Sequence, residues 1–314
     1  MSLEKIVKII RSKKSFLLST HRDVEGDALG SELAMFSLLR RLRKEVYIYN
    51  TDKVPLNYKF LPFSSYIQVR PPKKKFEVGI ILDSSDIGRL GKARNGFLKT
   101  SILINIDHHI SNTKFADINW VEPKASSASE MVYKIYKRFF SSISKKASIC
   151  IYTGIFTDTG CFSYSHTNSS THKIVAELLS CGISPLKIYH SVYSSFQAED
   201  ISFMGKVLST LKCDSQGAIC WVKTQSWRES YFGDLTEVIF YNLRFIKDAK
   251  VLVLFKKIGK NVRVNFRSKD KVDVNRIAKF FGGGGHKNAS GATLRENSIF
   301  KAEKKVISFI KRYI

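Results

Sequence analysis

The stretch ILINIDHHISN, residues 102–112, passes from a mostly apolar run into an aspartate and two adjacent histidines. An apolar run of this length is typical of a buried strand. Asp107, His108 and His109 follow it directly, and all three side chains titrate or bind metal. The pattern therefore predicts a strand whose carboxyl end presents metal-binding groups.

Strands and helices alternate in the part of the chain that precedes this stretch. The run SFLLST (15–20) is followed by apolar residues at helical spacing between Ala28 and Leu42. Two further short apolar runs are EVYIY (45–49) and VGIIL (78–82). Such alternation favours a parallel sheet with helices on both faces. We therefore predict an α/β fold for the N-terminal domain.

Polar, metal-capable residues follow three of these runs. The segments are HRDVEGD (21–27), DSSD (83–86) and DHH (107–109), and FTDTG (156–160) adds Asp158 where a helix passes into a loop. A single such residue is more often a cap or turn residue. However, ligands bind outside the carboxyl ends of parallel strands, so we expect these segments to converge on one rim. Carboxylates that share a pocket need divalent cations to offset their repulsion.

The ligand types also restrict the kind of cation. Mixed carboxylate and imidazole ligands suit Mn²⁺ or a similar ion better than a thiolate-preferring one. A pair of ions about 3.5–4 Å apart is the usual device for clamping a phosphoryl group and activating water. The sequence thus predicts a site for two divalent cations.

The pattern changes in the second half of the chain. Helical spacing dominates from residue 126 to about 186, and strands follow at 218–222, 251–255 and 262–266. This change predicts a second, smaller α/β domain. We place the domains and their linker at 1–186, 187–200 and 201–314.

The chain of 314 residues carries 52 Lys+Arg against 27 Asp+Glu, a net charge of +25. Such a surplus attracts polyanions, although a general lysine bias would produce it too. Five cysteines without a CxxC pair predict reduced, mostly buried thiols, and the many Phe and Tyr residues are interpreted as core. The N-terminus lacks a secretory pattern and no run is long enough to span a membrane, so we expect a soluble, cytoplasmic protein.

Five motifs in order and spacing resemble the DHH phosphoesterase superfamily with its DHH-associated C-terminal domain. They are HRDVEGDALGS (21–31), DSSDIGRLG (83–91), IDHHISN (106–112), FTDTGCF (156–162) and GGGGHKNASGA (282–292). The resemblance covers nearly the whole chain and is to the small two-domain branch. That branch contains nanoRNA-degrading enzymes, phosphatases of 3′-phosphoadenosine 5′-phosphate (pAp), and phosphodiesterases of cyclic di-AMP and its linear product.

The resemblance implies a set of cation ligands in a catalytic domain, 1–186. One cation would take His21, Glu25 and Asp83, and the other Asp27, Asp83, His108 and Asp158. His109 would face the phosphate, and Asp107 would orient its neighbours. The family usually has aspartate where this chain has Glu25, so ligation by Glu25 is open, and Asp23 is a nearby substitute.

In the C-terminal domain the run Gly282–Gly285 has two interpretations. It could end a helix or form a linker, or its backbone amides could form an anion-binding nest. The resemblance implies that Gly283, Gly284, Gly285, His286 and Arg267 bind the substrate. No GxxxxGK[ST] motif occurs, so a P-loop is not indicated. Two features outside these motifs remain: SSASE (126–130) predicts a helix cap, while Arg89 could approach the rim or form a surface pair.

The predicted function is Mn²⁺-dependent hydrolysis of short oligonucleotides and dinucleotides (nanoRNA, pApA, cyclic di-AMP) to nucleoside 5′-monophosphates. The first alternative is a 3′-phosphatase acting on pAp. An alternative of another class is a nucleotide-binding module without turnover, with Glu25 as the first sign of a lost site. A third is a basic protein that binds long DNA or RNA. Whether two chains pair as a homodimer is open.

Overall fold

The computed structural model of the chain describes residues 2–193, 196–227, 235–269, 272–285 and 287–314. The chain divides into two compact units, residues 1–194 and 195–314. Among the described residues, no helix combines the length and apolar character needed to cross a membrane.

The first unit alternates strands and helices, as its apolar runs predict. Its elements are α1 Ser2–Ser12, β1 Ser15–Ser19, α2 Gly26–Arg41, β2 Glu45–Tyr49, β3 Ile67–Gln68, β4 Val78–Leu82, α3 Arg94–Phe97, β5 Ile102–Asp107, β6 Ile118–Val121, α4 Ala128–Lys137, α5 Lys145–Asp158, α6 Ser169–Ser180 and α7 Pro185–Tyr193, with 3₁₀ segments at Leu56–Tyr58, Ser64–Tyr66 and Ile87–Ala93.

The strands of this unit form one parallel sheet in the order β3-β2-β1-β4-β5-β6. The chain builds outward from β1 to β3 on one side, and then from β4 to β6 on the other. The order therefore reverses between β1 and β4, and this is where a parallel sheet opens a crevice for ligands. The loops that follow these two central strands begin with Thr20 and Asp83.

Apolar side chains cover both faces of this sheet. On one face, residues of β1, β4 and β5 pack with those of α1, α2, α4 and α5 in the larger core. On the other face, Leu17, Tyr49 and Ile81 pack against the segment around α3, including Leu90 and Phe97. The prediction of a parallel sheet with helices on both faces is confirmed. Strand β4 is buried along its whole length, which explains its uninterrupted apolar sequence.

The second unit contains a mixed sheet. Its elements are α8 Ala198–Leu208, β7 Lys212–Cys213, β8 Ile219–Thr224, α9 Leu235–Leu243, β9 Val251–Ile258, β10 Asn261–Ser268, α10 Val274–Phe280, β11 Gly284–Gly285, β12 Ala289–Leu294 and α11 Ile299–Tyr313. The strand order is β11-β12-β10-β9-β8-β7, in which β8 and β9 are parallel and the other neighbours antiparallel. Helices α8 and α9 pack on one face and α10 and α11 on the other.

The segment predicted as a linker, 187–200, contains most of α7 and the start of α8. Within it, residues 194 and 195 lie outside the described residues. The division of the chain into two units falls between these two residues.

Two expectations from composition are wrong. Cys213 and Cys220 form a disulfide instead of remaining free thiols. They face each other across the antiparallel pair β7 and β8, with their Cα atoms 4.1 Å apart, a neighbourhood that sequence spacing does not reveal. The interpretation of Phe and Tyr as core also fails in part, because Phe245, Phe280 and Phe300 are exposed.

Candidate metal centre

The carboxyl ends of β1, β4 and β5 bring the predicted segments together at one edge of the sheet. His21 follows β1, Asp83 follows β4, and His108 follows β5. Asp158, the last residue of α5, reaches the same edge, with its Oδ2 3.3 Å from His108 Nε2. A third carboxylate, Asp27, comes from the first turn of α2. The sheet topology thus gathers residues that lie up to 137 positions apart in the chain.

Asp83 lies at the middle of this cluster. One of its oxygens is 3.6 Å from His21 Nε2, and the other is 3.6 Å from His108 Nε2. Its backbone has φ of 53°, which is uncommon outside glycine and typical of functional sites. Its N–H bonds Ile106 O at 2.9 Å, so the β4–β5 ladder continues into the bend.

Three groups of side chains have ligand atoms within 4.8 Å of one another. They are His21 with Glu25 and Asp83, Asp27 with His108 and Asp158, and Asp83 with His108 and His109. Asp83 is shared by the first and third groups, and His108 by the second and third. The three groups therefore form one continuous cluster at the rim.

The histidine rings are oriented by backbone carbonyls. His21 Nδ1 lies 2.6 Å from Arg22 O, and His108 Nδ1 lies 3.3 Å from Ala125 O. Donation of Nδ1–H to these carbonyls turns each Nε2 towards the carboxylates of the rim. This is the usual support of a metal-binding imidazole, because the bond on one nitrogen fixes the lone pair on the other.

The start of α4 holds Asp27 in place. Its carboxylate accepts hydrogen bonds from Ala128 N at 2.6 Å and Ser129 N at 2.9 Å. Ser127 caps the same helix by accepting from Glu130 N at 3.0 Å. SSASE is therefore a helix cap, as predicted, and the helix start also receives a site carboxylate, which sequence inspection missed. The two partners are about a hundred residues apart, so no local signal links them.

Close packing of α5 against this contact depends on Gly154. A Cβ atom at this position would lie 1.9 Å from Ser129 Oγ and 2.7 Å from Asp27 Oδ1. Both distances are far below normal van der Waals contact. Any larger residue would therefore push directly on a carboxylate of the rim.

A second network orients His109. Its Nδ1 lies 2.7 Å from Asp107 Oδ1, and the other oxygen of Asp107 accepts from Asn112 Nδ2 at 2.6 Å. Asn112 also donates to Asn105 Oδ1 at 2.8 Å. The fully buried Asp107 thus fixes the ring of His109 through a chain of hydrogen bonds.

The crowding of these groups changes their protonation. Burial and then repulsion from Asp83 raise the pKa of Asp27 to about 7. Burial and repulsion from Asp27 and Asp83 raise the pKa of Asp158 well above its usual value. Burial alone would lower the pKa of His21, but the Asp83 carboxylate, 3.6 Å away, raises it. Protons therefore offset part of the negative charge of the bare cluster.

Glu25 occupies the rim at the N-cap of α2, where its side chain makes no capping hydrogen bond. The residue is exposed by its accessible surface, yet enough protein surrounds its carboxyl that desolvation, followed by repulsion from Asp83, raises its pKa. Asp23 belongs to none of the three groups, and its N–H bonds Asp52 Oδ2 at 2.7 Å. The geometry therefore favours Glu25 over Asp23 as a ligand.

Two further residues lie at the rim. The charge of Arg89 acts on both His21 and Glu25, and its buried Nη1 has no hydrogen-bond partner among the described residues. Arg89 thus approaches the rim instead of forming a surface pair. His166, which sequence inspection missed, lies 3.1 Å from the backbone oxygen of Asp158. His166 lies only a short segment after Asp158, the last residue of α5. Its closeness in the chain to the FTDTG motif was the one sequence feature that could have indicated it.

The glycine run of the second unit has a structural role. Gly282 has φ of 73° and ends α10, with Gly282 N bonding Lys279 O and Gly283 N bonding Ala278 O in the pattern of a Schellman cap. Gly284 and Gly285 form β11 and pair with β12. His286 lies outside the described residues.

Arg267 lies on the α9 side of the second sheet. Its guanidinium forms an ion pair with Glu237 and lies 4.8 Å from the ring centroid of Phe240. Its side chain is 12% exposed, whereas that of Glu237 is 55% exposed. An incoming phosphate would therefore have to replace Glu237 to reach the guanidinium.

The donor set of the first unit fits divalent cations. Asp83 Oδ1, His108 Nε2 and Asp158 Oδ2 are buried and have no hydrogen-bond partner among the described residues. Buried polar atoms without hydrogen bonds are costly, and here they face one another in one cluster of carboxylate oxygens and imidazole nitrogens. Cations such as Mn²⁺ bind this mixture of ligands.

Comparison with known proteins shows the family of the chain. The chain matches the DHH family, N-terminal domain, over residues 15–155 and the DHHA1 domain over residues 225–312. It is 30% identical over 302 residues to the bifunctional oligoribonuclease and PAP phosphatase NrnA of Thermus thermophilus, covering 94% of this chain and 88% of the relative. The protein of the same name from Bacillus subtilis is 26% identical over 296 residues, 92% of each chain.

Among solved structures, an exopolyphosphatase-related protein from Bacteroides fragilis has a TM-score of 0.89 at 26% identity, over 99% of this chain and 97% of that one. Both domain matches lie in the order predicted from the motifs. The chain therefore belongs to the DHH family of phosphoesterases, in the two-domain form that also carries a DHHA1 domain.

Proposed function

We propose that this protein is a two-cation phosphodiesterase that hydrolyses short oligonucleotides and linear dinucleotides to nucleoside 5′-monophosphates, with Mn²⁺ as its cation. The observation that supports the proposal most directly is the set of buried ligand atoms without hydrogen bonds on Asp83, His108 and Asp158 at one sheet edge. The relatives named oligoribonuclease, at 30% and 26% identity, support the choice of substrate.

Six side chains would hold the cations. His21, Glu25 and Asp83 would hold one, and Asp27, Asp83, His108 and Asp158 the other. Bound there, two divalent cations would polarise the phosphoryl oxygens and make water a better nucleophile at neutral pH. The side chains themselves would hold position, since backbone carbonyls fix both imidazoles and the start of α4 fixes Asp27.

His109 would face the phosphoryl group. Burial alone would lower its pKa, but the hydrogen bond to Asp107 and the charge of Asp83 raise it. The ring would therefore keep its Nδ1 proton towards Asp107 and present a positive charge where negative charge develops on the phosphoryl oxygens. Asp107 acts as a positioning residue in this scheme.

The second unit would bind the rest of the substrate. Arg267, Gly283, Gly284, Gly285 and His286 are the proposed contacts. Arginine suits phosphate because its planar fork donates two parallel hydrogen bonds. Binding energy from the distal nucleotide would be used to orient the scissile phosphate, which favours substrates of two to a few nucleotides.

A second candidate is a 3′-phosphatase activity on pAp, which the names of both relatives favour. The same cation site would serve it, because a terminal phosphate presents the same oxygens. Cyclic di-AMP stays a prediction, as does pairing of two chains.

One assay separates these activities. The chain is incubated with Mn²⁺ and, in turn, pApA, pAp, cyclic di-AMP, tri- to pentanucleotides and inorganic tripolyphosphate, and the products are resolved by chromatography. We expect AMP from pApA and shortening of the oligonucleotides. Preferential cleavage of tripolyphosphate would instead assign the site to polyphosphate.

A matched pair of variants tests the cation site. Asp83→Asn should lower turnover at least about a thousandfold, because the shared ligand loses its charge. Asp86→Asn lies in the same loop and retains an oxygen for the cap to Gly88 N, so it should stay within about tenfold of wild type. Tight binding of pApA without product under any cation would support the non-catalytic module instead.

A further inference from the structure

An exposed row of aromatic rings crosses the α10 and α11 side of the second unit. The rings of Phe280 and Phe309 are stacked with centroids 4.1 Å apart and planes at 18°, and those of Phe309 and Tyr313 are 6.1 Å apart at 15°. Phe281 contacts Phe280 and Phe309 edge-on. We call Phe280, Phe309 and Tyr313 the aromatic row.

Two of these rings lie at the surface, whereas Phe309 is partly buried and packs against the core of the second unit. Phe280 is 64% exposed and Tyr313 is 37% exposed. Exposed aromatic side chains that lie together mark an interaction surface more often than isolated ones do. The row could not be predicted from the sequence, because Phe280 is on α10 whereas Phe309 and Tyr313 are on α11.

A basic groove begins where the row ends. Tyr313 lines an open groove of about 1340 Å³ together with Lys250, Lys269, Arg276 and Lys287. Asp273 is the one acidic side chain among the described lining residues, and it caps α10 and pairs with Arg276 at 3.6 Å. The groove therefore has a positive surplus along its length.

Arg276 and Tyr313 of the groove lie on a different face of the sheet from Arg267. Arg267 pairs with Glu237 of α9, whereas Arg276 and Tyr313 belong to α10 and α11. Helices α9 and α10 pack on opposite faces of the second sheet. The groove is thus separate from the proposed contact of Arg267 with the substrate.

We propose that the aromatic row and the basic groove form a binding surface for a single-stranded polynucleotide, distinct from the phosphodiesterase site. Bases would continue the ring stack from the face of Tyr313, and the phosphates would follow the lysines and Arg276. Stacking rings beside a positive groove are the two elements of sequence-tolerant binding to single strands. A second copy of this chain is a poor occupant, because both copies carry a net charge of +25.

Binding is measured by fluorescence anisotropy with a labelled single-stranded RNA of about 12 nucleotides, a length within the usual site range. The full chain is used in the presence of EDTA, so that no turnover occurs. Failure of the proposed phosphodiesterase activity would therefore leave this measurement unaffected. We expect Phe280→Ala and Tyr313→Ala each to weaken binding about tenfold through lost stacking.

Charge reversal tests the groove separately. The double variant Lys250→Glu, Lys287→Glu should weaken binding further and lower the slope of log K against log salt by about 1.4, or about 0.7 for each lost phosphate contact on a single strand. Matched controls are Phe300→Ala, at a ring 67% exposed near the start of α11, and Lys301→Glu beside it. Both controls should bind RNA as wild type does.

Thermal unfolding of each variant checks that the fold is kept. Cleavage of pApA should stay within about twofold of wild type in Phe280→Ala, Tyr313→Ala and the two controls, because none of these residues belongs to the rim or to the proposed substrate contacts. The proposal is overturned if Phe280→Ala and Tyr313→Ala bind RNA as tightly as the controls do. It is also overturned if these variants change the mass in light scattering, or lose binding to anionic vesicles, while RNA binding is unchanged.

Discussion

The rim of the first sheet gathers several carboxylates, and the basic groove of the second unit gathers several lysine and arginine side chains. The two regions differ in how deeply these charged groups are buried. Asp27 and Asp83 are each 1% exposed, whereas the side chain of Arg276 is 76% exposed. Water and salt screen the exposed charges, so the groove needs no bound partner to be stable. The buried carboxylates lack that screening, so they take up protons or cations.

The difference indicates two kinds of recognition. Cations that bind the rim as proposed would compete with protons, so their affinity should depend on pH. The groove attracts polyanions by charge, and its affinity should depend on salt. The predictions below test this contrast from the largest expected effect to the smallest.

The largest effect should come from filling the space beside Asp27. Gly154→Ala places a methyl group 1.9 Å from Ser129 Oγ and 2.7 Å from Asp27 Oδ1. We expect a loss of about 3 kcal/mol of stability and a decrease of about a hundredfold in cation affinity. Calorimetric titration with Mn²⁺ and chemical denaturation measure the two effects.

Gly205→Ala is the matched control, because it also lies within a helix but has open space around it. It should stabilise the chain by about 0.5–1 kcal/mol. Wild-type cation affinity in Gly154→Ala would show that this packing does not position Asp27.

The buried region extends beneath the rim to Glu32. This fully buried carboxyl accepts a hydrogen bond from Asn50 Nδ2 at 2.8 Å, and burial raises its pKa from 4.5 to about 8. The folded chain thus keeps a proton that the unfolded chain releases near pH 4.5. Its contribution to stability is complete below that pH and is lost as pH rises towards 8.

Glu32→Gln should therefore raise stability by roughly 3 kcal/mol at pH 7 and flatten its pH dependence between pH 5 and 8. Hydrogen exchange of the amides in β1 and α2 measures the stability of the first unit alone and its dependence on pH. The exposed Glu199→Gln serves as control and should change stability by no more than about 0.5 kcal/mol. If stability changes equally with pH in Glu32→Gln and in wild type, the Glu32 carboxyl does not hold a proton in the folded chain.

The glycine run of the second unit allows a glycine-to-alanine test of packing like that at Gly154 and Gly205. A Cβ at Gly283 would lie 2.1 Å from Gly291 O, whereas at Gly284 the nearest atom is 3.9 Å away. We expect Gly283→Ala to cost about 2 kcal/mol and Gly284→Ala to leave thermal unfolding unchanged. If Gly284→Ala nevertheless weakens pApA binding, the loop contacts the substrate; equal stability losses at both positions would refute the packing argument.

The smallest effect is the pH dependence of cation binding. Because the pKa of Asp27 is raised to about 7, a cation that binds this carboxylate below that pH must displace a proton. Apparent Mn²⁺ affinity should then fall about tenfold for each pH unit below 7. Titration in buffers of different ionisation enthalpy counts the released protons.

RNA binding to the groove provides the contrast, because lysine and arginine stay charged between pH 6 and 8. It should change little over this range but weaken steeply with salt. A Mn²⁺ affinity that is independent of pH would remove the distinction between the two regions.

Much of the first unit could be predicted from its apolar runs. Each of the runs at 15–20, 45–49, 78–82 and 102–106 contains a strand, because buried parallel strands leave a continuous apolar pattern. Strand β6, Ile118–Val121, was missed because it is only partly buried and its sequence INWV has no such pattern. The reversal of strand order at β1 and β4 explains why the predicted segments share one edge.

The side-chain types at the rim were determined by the sequence alone, because carboxylates and imidazoles directly follow the apolar strand runs. Only the tertiary structure decided that the start of α4 holds Asp27, that Gly154 packs against Asp27 and Ser129, and that Phe280 stacks on Phe309. Those contacts join residues distant in the chain, and a local pattern carries no information about them. Their geometry depends on how helices pack after the sheet has formed.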